Sequence, residues 1–311
     1  MSAVTMQRRD HVDAMAVAVL VLLCALWGVQ QVAVKVAVAQ GLPPALQATL
    51  RSFGAAMLVC VWIGVKEGGG ALRTLLRRDA TLGPGLVIAA FFALEFLALY
   101  PGLHLTTASR GVVFLYTAPF FTALGAHLFI PAERISLRQA AGLLIAFDGV
   151  ALAFFDSLGA GGSIAGDLLC LVAGALWGIT TVVVKANRVL SHTASSKVLL
   201  MQLAGSAPIL LLAAAAFGDL SQWPQATPLA WACLFYQTVI VAFLSYLTWF
   251  WLIQHYPAGR IAGFTFLAPL FGILAGWALL GEHASIGLLL GLVAIAIGLR
   301  LLNGRGPLRR T

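Results

Sequence analysis

The sequence predicts an all-α polytopic membrane protein with ten transmembrane helices, arranged as two inverted five-helix repeats around a central cavity. Composition gives the first indication: of 311 residues, 61% are hydrophobic and 10% are charged, and the mean hydropathy is +0.96. Those values lie far outside the range of a soluble domain. Internal repetition gives the second indication, because ALWGVQQVAVK at Ala25 to Lys35 returns 150 residues later as ALWGITTVVVK at Ala175 to Lys185.

Ten apolar segments of suitable length follow one another along the chain. About 20 apolar residues cross a hydrocarbon core of about 30 Å. The predicted spans are Ala14 to Val38, Pro44 to Val65, Leu82 to Leu103, Thr107 to Ile130, Ser136 to Phe155, Ile164 to Arg188, Ala194 to Gly218, Thr227 to Ile253, Ala258 to Leu280 and Ser285 to Leu302. They divide the chain into an amino-terminal segment at 1–13, repeats at 14–155 and 164–302, and a basic tail at 303–311.

The two repeats are predicted to lie upside down relative to each other. Arg110 and Pro119 in the fourth span recur as Arg260 and Pro269 in the ninth. Each repeat contains five spans, an odd number, so the second repeat enters the membrane from the opposite face. Inverted repeats are typical of secondary transporters, because exchanging the conformations of two similar halves moves the opening from one face to the other. A static duplicated scaffold is the alternative.

Basic residues predict the orientation. Sixteen of the nineteen Lys and Arg residues fall on the side of the amino terminus, which places both termini in the cytoplasm. A net charge of +8 also raises the possibility of nucleic-acid binding. The basic residues are spread through short loops, however, and form no single patch. Membrane topology therefore explains them, and we expect no nucleic-acid partner.

Several motifs resemble those of a known family. These are LWGxxxxxxK in the first span of each repeat, the central proline of the fourth, and the run APLFGILAGWALLGEHASIGLLLGLVAIAIGL from Ala268. Together they resemble the EamA-type exporters of the drug/metabolite transporter superfamily. The resemblance implies a ten-helix exporter of small metabolites, often amino acids, including the aromatic ones, located in the plasma membrane, which in a bacterium is the inner membrane. It does not supply the substrate.

Aromatic and polar residues deep in the spans are the candidate cavity lining. Aromatic rings with polar tips suit an apolar or aromatic metabolite, and uncharged polar groups can hydrogen-bond a zwitterion. The alternatives are core packing, interfacial anchoring and helix-to-helix hydrogen bonds. The aromatic candidates are Trp27, Tyr100, Tyr116, Trp177, Tyr236, Tyr246 and Trp249, and the polar ones are Gln30, Gln31, Thr180 and Thr181.

Two prolines are candidate hinges. Pro119 and Pro269 lie near the middle of their spans, and a proline inside a helix leaves the carbonyl four residues earlier, here Leu115 and Thr265, without its usual donor. The expected bend serves either as a static kink or as a hinge.

Charged residues within the spans are rarer and more informative. Arg51 and Glu95 lie at similar depth on consecutive antiparallel spans, so we expect them to form an ion pair, either purely structural or acting as a gate. Lys35 and Lys185 end their spans, and we expect their ammonium groups to reach water at the interface.

The sequence disfavours several other functions. It has no GxxxxGK[ST] loop for ATP, and its four cysteines show no metal-ligand spacing, so no cofactor and no metal is expected. An intramembrane enzyme stays a remote alternative, because no histidine stands in a motif with a nucleophile. An exporter of lipophilic cations is disfavoured by the lack of an acid in the first span. The expected partners are a small-molecule substrate and the lipid bilayer, with a monomer and a homodimer both open.

Overall fold

The computed structural model describes residues 11–68, 79–106, 108–153, 155, 163–221, 226–280 and 286–304. Every regular element within these ranges is helical. Within these ranges, eight segments are long and apolar enough to cross a bilayer, and one shorter apolar helix lies at Leu289–Asn303. The all-α polytopic fold predicted from the sequence is therefore confirmed.

The helices follow the predicted spans closely and are numbered in chain order, with suffixes where a span is divided. The bounds are α1 (Ala14–Ala39), α2 (Pro44–Glu67), α3 (Leu82–Leu105), α4a (Ala108–Leu115), α4b (Ala118–Phe129), α5 (Leu137–Ala153), α6 (Ile164–Ala186), α7 (Ser195–Ala216), α8a (Pro228–Phe235), α8b (Tyr246–His255), α9a (Ala258–Gly263), α9b (Leu267–Leu280) and α10 (Ile286–Asn303).

The first helix of each repeat begins with the same kind of cap. Asp13 precedes α1 and accepts a hydrogen bond from the amide of Ala16, and Ser163 precedes α6 and accepts one from the amide of Gly166. A side-chain oxygen at this position satisfies an amide that has no partner within the helix. The repeat therefore extends to the signals that start its helices.

Contacts between helix ends show that α1 and the eighth span run in opposite directions. The amide of Thr227, before α8a, donates to the carbonyl of Gln40 at the end of α1, 3.1 Å away. The hydroxyl of Tyr256, after α8b, donates to Asp13 at the start of α1, 3.0 Å away. We call the face of the bundle with Asp13 and Tyr256 the amino-terminal face, and the face with Gln40 and Thr227 the opposite face.

Helix packing obeys the pseudo-two-fold symmetry of the repeats. Helix α2 packs against α7 and α5 against α10, so each of these helices meets its own repeat mate, and α4b packs against α9a, so the fourth and ninth spans also meet. Helix α1 packs against the α8 and α9 segments, and α6 correspondingly against α3 and the two parts of α4. The repeats thus interlock, because the first helix of each lies mainly against helices of the other.

Glycines allow the closest of these approaches. A Cβ atom on Gly142 of α5 would lie 2.7 Å from the carbonyl oxygen of Gly298 on α10, and one on Gly149 would lie 2.8 Å from that of Gly291. Helices in membranes approach most closely where small residues face each other. Gly142 and Gly291 occupy equivalent places in the two repeats, as do Gly149 and Gly298, so this contact is itself symmetric.

Three spans predicted as continuous helices are interrupted. The fourth breaks at 116–117, the eighth contains a π-helical segment at Tyr236–Ser245, and the ninth a 3-10 turn at Phe264–Phe266. Pro119 and Pro269 lie in the first turn of α4b and α9b, just after the interruptions. The missing proline amide is tolerated there, because the first amides of a helix have no partner within it. The interruptions in the fourth and ninth spans therefore lie just before the prolines.

Candidate functional site

A central cavity lies between the two repeats. Its walls come from α1, α2, α3, α4, α6, α7 and α8, and its empty volume, including the part open to solvent, is about 1040 Å³. Most of the residues predicted as cavity lining lie in it. They are Trp27, Gln30, Arg51, Glu95, Tyr100, Tyr116, Trp177, Thr180, Thr181, Tyr246 and Trp249.

Of the other predicted site residues, three do not line the cavity and the side chain of a fourth is outside the described part of the structure. The hydroxyl of Tyr236 donates to the carbonyl of Leu26, 2.9 Å away, so this side chain ties α8 to α1 and does not line the cavity. Pro119 and Pro269 are not among the residues that line the cavity. The side chain of Gln31 is outside the described part of the structure.

Trp27 occupies the centre of an aromatic cluster. Its ring centroid lies 6.2 Å from that of its repeat mate Trp177, 6.4 Å from Tyr246 and 5.3 Å from Trp249, each in an edge-to-face arrangement. The indole Nε1–H donates to Ser245 Oγ, 2.9 Å away. Edge-to-face packing fixes ring orientation. The cluster therefore gives the cavity a rigid aromatic wall built from both repeats.

The glycine that follows each of these tryptophans explains how they are positioned. A Cβ atom on Gly28 would lie 2.6 Å from Gly272 N and from Phe271 Cβ, and one on Gly178 would lie 2.7 Å from Ala118 O. Each glycine thus allows its helix to lie directly against α9b or α4b. The adjacent tryptophan is thereby held at the cavity, which is a structural reason for the repeated LWG motif.

Arg51 is buried without a hydrogen-bonding counterpart. The side chain is 2% exposed, its guanidinium carbon lies 4.7 Å from the centroid of the Phe96 ring, and Nε and Nη2 have no hydrogen-bond partner. A guanidinium over an aromatic face gains a cation–π attraction, but the N–H groups of Nε and Nη2 remain unused.

The charged groups of Arg51 and Glu95 form no direct salt bridge, although both described side chains line the cavity and their charges attract each other across it. Similar depth on consecutive helices was an insufficient reason to expect it. Helix α2 packs mainly on α7 and α8, whereas α3 packs mainly on α6 and α7, so the two helices that carry the charges touch only a little. Both charges instead face a common space.

The remaining polar groups of the wall differ in how far their bonding is satisfied. Gln237 Nε2 donates to Gln47 Oε1, 2.9 Å away, and Gln47 Nε2 donates to a backbone carbonyl. The hydroxyls of Thr180 and Thr181 donate to carbonyls of their own helix. Gln202 on α7, by contrast, is 4% exposed and its Oε1 has no partner. Gln202 is the polar lining residue that the sequence did not single out and that retains an unused buried acceptor.

Equivalent residues at the two ends of the cavity differ in their exposure. Val34 and Leu103, which line it toward the opposite face, are partly exposed, whereas their repeat mates Val184 and Ile253 are fully buried. The two repeats are therefore related by sequence, but their equivalent residues are exposed to different extents at the two ends of the cavity.

Lys185 helps to close the amino-terminal end. It is 2% exposed, and its Nζ donates to the carbonyls of Ile253 and Tyr256, each 2.7 Å away, and lies 3.7 Å from Glu133 Oε1. The prediction that this ammonium reaches water was wrong, because the carbonyls at the end of α8b receive it instead. Its repeat mate Lys35 is exposed, as predicted.

Several apolar lining residues were not predicted. Phe92, Leu99 and Leu103 line the cavity together with Glu95 from α3. They lie three residues before Glu95 and four and eight residues after it, which places them on one helical face. Glu95 is the single acid of α3, and assuming that it faces the cavity would have identified these three residues from the sequence.

The fold and the cavity define a class: a polytopic membrane protein built from two inverted repeats around a central cavity. Sequence comparison gives the family. The chain belongs to the EamA-like transporter family, whose model matches residues 14–155 and 164–304.

Individual relatives are similar over nearly their whole length. The chain is 28% identical over 295 residues to the "Uncharacterized transporter YvbV" of Bacillus subtilis, covering 94% of this chain and 92% of the relative. It is 29% identical over 307 residues to the "Probable amino-acid metabolite efflux pump" of Escherichia coli, covering 94% of each. A protein of known crystal structure superposes with a TM-score of 0.76 at 17% identity, covering 93% of this chain and 96% of that one. This last likeness shows the fold.

Proposed function

We propose that this transporter exports amino acids, in particular those with aromatic or other apolar side chains, by alternating access through the central cavity. The observation that carries the proposal is the composition of the cavity wall. Aromatic rings from both repeats surround Trp27, and buried polar groups with unused bonding capacity lie in the same wall. An apolar cavity with a few polar groups is the usual form of a small-molecule site.

The different burial of repeat mates supports alternating access. Val34 and Leu103 are partly exposed while Val184 and Ile253 are buried. In an inverted repeat, the second state is obtained when the two halves exchange these environments. The substrate is then released when the Lys185 end opens and the Lys35 end closes, or the reverse. Proton exchange and facilitated diffusion both remain compatible with this cycle.

The proposed setting is the plasma membrane, the inner membrane if the source is bacterial, with both termini in the cytoplasm. The excess of Lys and Arg on the amino-terminal face supports this orientation. The similarity to the Escherichia coli protein named "Probable amino-acid metabolite efflux pump" supports the substrate class and the direction.

Export of lipophilic cations is the second candidate, and Glu95 among aromatic rings is the observation that favours it. Acids and aromatic faces both attract organic cations. The buried guanidinium of Arg51 in the same cavity repels them, and an electroneutral zwitterion satisfies both charges. Amino acids therefore fit the cavity better.

Flux into proteoliposomes tests the proposal. Purified protein would be reconstituted and exposed to labelled phenylalanine, tryptophan, leucine, glutamate and an aromatic quaternary ammonium ion, with and without a pH gradient. We expect saturable uptake of the apolar amino acids that exceeds uptake by protein-free vesicles. Uptake of the cation alone would favour the second candidate, and a chemically altered lipid or substrate in the same vesicles would indicate an enzyme.

A further inference from the structure

The cavity holds one buried cation and one acid that do not pair with each other. Arg51 on α2 and Glu95 on α3 both line it, and no ion pair joins these two described side chains. A buried, unpaired charge is expensive unless another group hydrogen-bonds to it. A ligand that bears charges of both signs would complement Arg51 and Glu95 together.

The unused hydrogen-bonding groups have the pattern that such a partner requires. Nε and Nη2 of Arg51 are buried donors without an acceptor, and Oε1 of Gln202 is a buried acceptor without a donor. A guanidinium edge binds a carboxylate through two parallel N–H bonds. An ammonium group has three donors and no acceptor, so Glu95 and Gln202 complement it.

We infer that Arg51, Glu95 and Gln202 form a head-group subsite that binds the α-carboxylate and α-ammonium of the substrate: Arg51 binds the carboxylate, and Glu95 with Gln202 binds the ammonium. This inference rests on the proposed function and specifies its ligand as a zwitterion. The groups come from α2, α3 and α7, whereas the aromatic cluster is centred on Trp27 of α1. The subsite binds the head group shared by all amino acids, and the aromatic wall contacts the substrate side chain.

Sequence symmetry explains why the subsite occurs once. Glu95 occupies the position of Ser245 in the second repeat, and Arg51 that of Met201. Ser245 already accepts the indole N–H of Trp27. The two charges thus break the symmetry of the duplication within the cavity, and a single ligand orientation follows.

Competition for phenylalanine counterflow in proteoliposomes tests the inference. Three unlabelled competitors share the benzyl group and differ in the head group: phenylalanine, phenylalaninamide without the carboxylate, and 3-phenylpropanoate without the ammonium. For the wild-type protein we expect each analogue to compete at least tenfold less strongly than phenylalanine. Equal competition by either analogue would overturn the subsite.

Two variants should show opposite changes in selectivity. Arg51→Gln should weaken phenylalanine at least tenfold while leaving competition by phenylalaninamide unchanged, and Glu95→Gln should weaken phenylalanine while leaving competition by 3-phenylpropanoate unchanged. General damage to the fold would weaken all ligands together, which would contradict the inference. Arg51→Lys serves if Arg51→Gln is inactive, and it should retain a partial preference for the carboxylate.

Matched controls remove the same charges outside the cavity. Lys35 and Asp148 are exposed and do not line it, so Lys35→Gln and Asp148→Asn should leave the order of the three competitors unchanged. Absence of any amino-acid counterflow by the wild-type protein would overturn both the proposed function and the inference. Counterflow of phenylalanine without opposite changes in the two variants would overturn the inference alone.

Discussion

The contact between α1 and α9b can be tested by adding a single methyl group. Gly28 lies so close to α9b that a Cβ atom would be 2.6 Å from Gly272 N and Phe271 Cβ. Carbon atoms pack best at about 3.5–4.0 Å. Gly28→Ala therefore requires the two helices to separate by roughly 0.9 Å. Overpacking of this kind typically costs about 1–3 kcal/mol of stability.

The same interface provides the control. Gly272 faces Gly28 from the other helix, yet a Cβ atom on it would lie 3.6 Å from Gly28 O, an ordinary contact distance. Gly272→Ala should leave stability unchanged or raise it by up to about 1 kcal/mol, because alanine favours helix. The repeat mate Gly178 would meet Ala118 O at 2.7 Å, so Gly178→Ala should resemble Gly28→Ala.

Thermal unfolding in detergent, followed by circular dichroism, measures the stabilities, and phenylalanine flux measures the consequence for the cavity. Gly28→Ala and Gly178→Ala should unfold at lower temperature than wild type and transport more slowly, because Trp27 and Trp177 move with their helices. Gly272→Ala should match wild type in both assays. Wild-type stability for Gly28→Ala, or equal losses in all three variants, would refute the close helix contact.

Three further outcomes are expected. Lys185→Met should destabilise the protein by about 3–5 kcal/mol, since it leaves Glu133 without its buried cation and the carbonyls of α8b without a donor, while Lys35→Met should not; equal melting temperatures would contradict this. Trp27→Phe and Ser245→Ala remove the same hydrogen bond, so each should cost about 1 kcal/mol and the double variant less than their sum; strict additivity would count against the bond. Asp79 accepts a hydrogen bond from Lys197 2.5 Å away, which lowers the pKa of its carboxyl below the usual value, so wild type should be more stable than Asp79→Asn at neutral pH. That advantage should shrink as the pH falls below about 4, and a difference in stability that does not change with pH would contradict the pair.

The fold was predictable because its signals are local and repeated. Hydropathy located every span, and the odd number of spans per repeat implied inversion. Interlocking of the repeats was not predictable in the same way, because which helices touch depends on side-chain fit across the bundle. The π-helical segment at Tyr236–Ser245 carries no marker comparable to a proline, so the sequence predicted a continuous helix there.

Depth along a helix was the weak point of the sequence reasoning. It placed Arg51 and Glu95 level with each other, but equal depth does not make two side chains direct neighbours, and their charges interact without a direct salt bridge. It placed Lys185 near the interface, but the ammonium group hydrogen-bonds to carbonyls at the end of α8b instead of reaching water. The cavity aromatics were predicted better, since Trp27 and Trp177 were identified by repeat position and by size together.

Accessibility of the cavity during transport tests the central claim most directly. Gln30 lines the cavity, and the four native thiols, Cys24, Cys60, Cys170 and Cys233, can be replaced by alanine to give a background for Gln30→Cys. A membrane-impermeant thiol reagent should label the new cysteine from either face of the vesicle, and phenylalanine should slow both reactions. Phenylalanine flux by a variant whose cysteine is unreactive from one face, or unprotected by substrate, would contradict transport through this cavity.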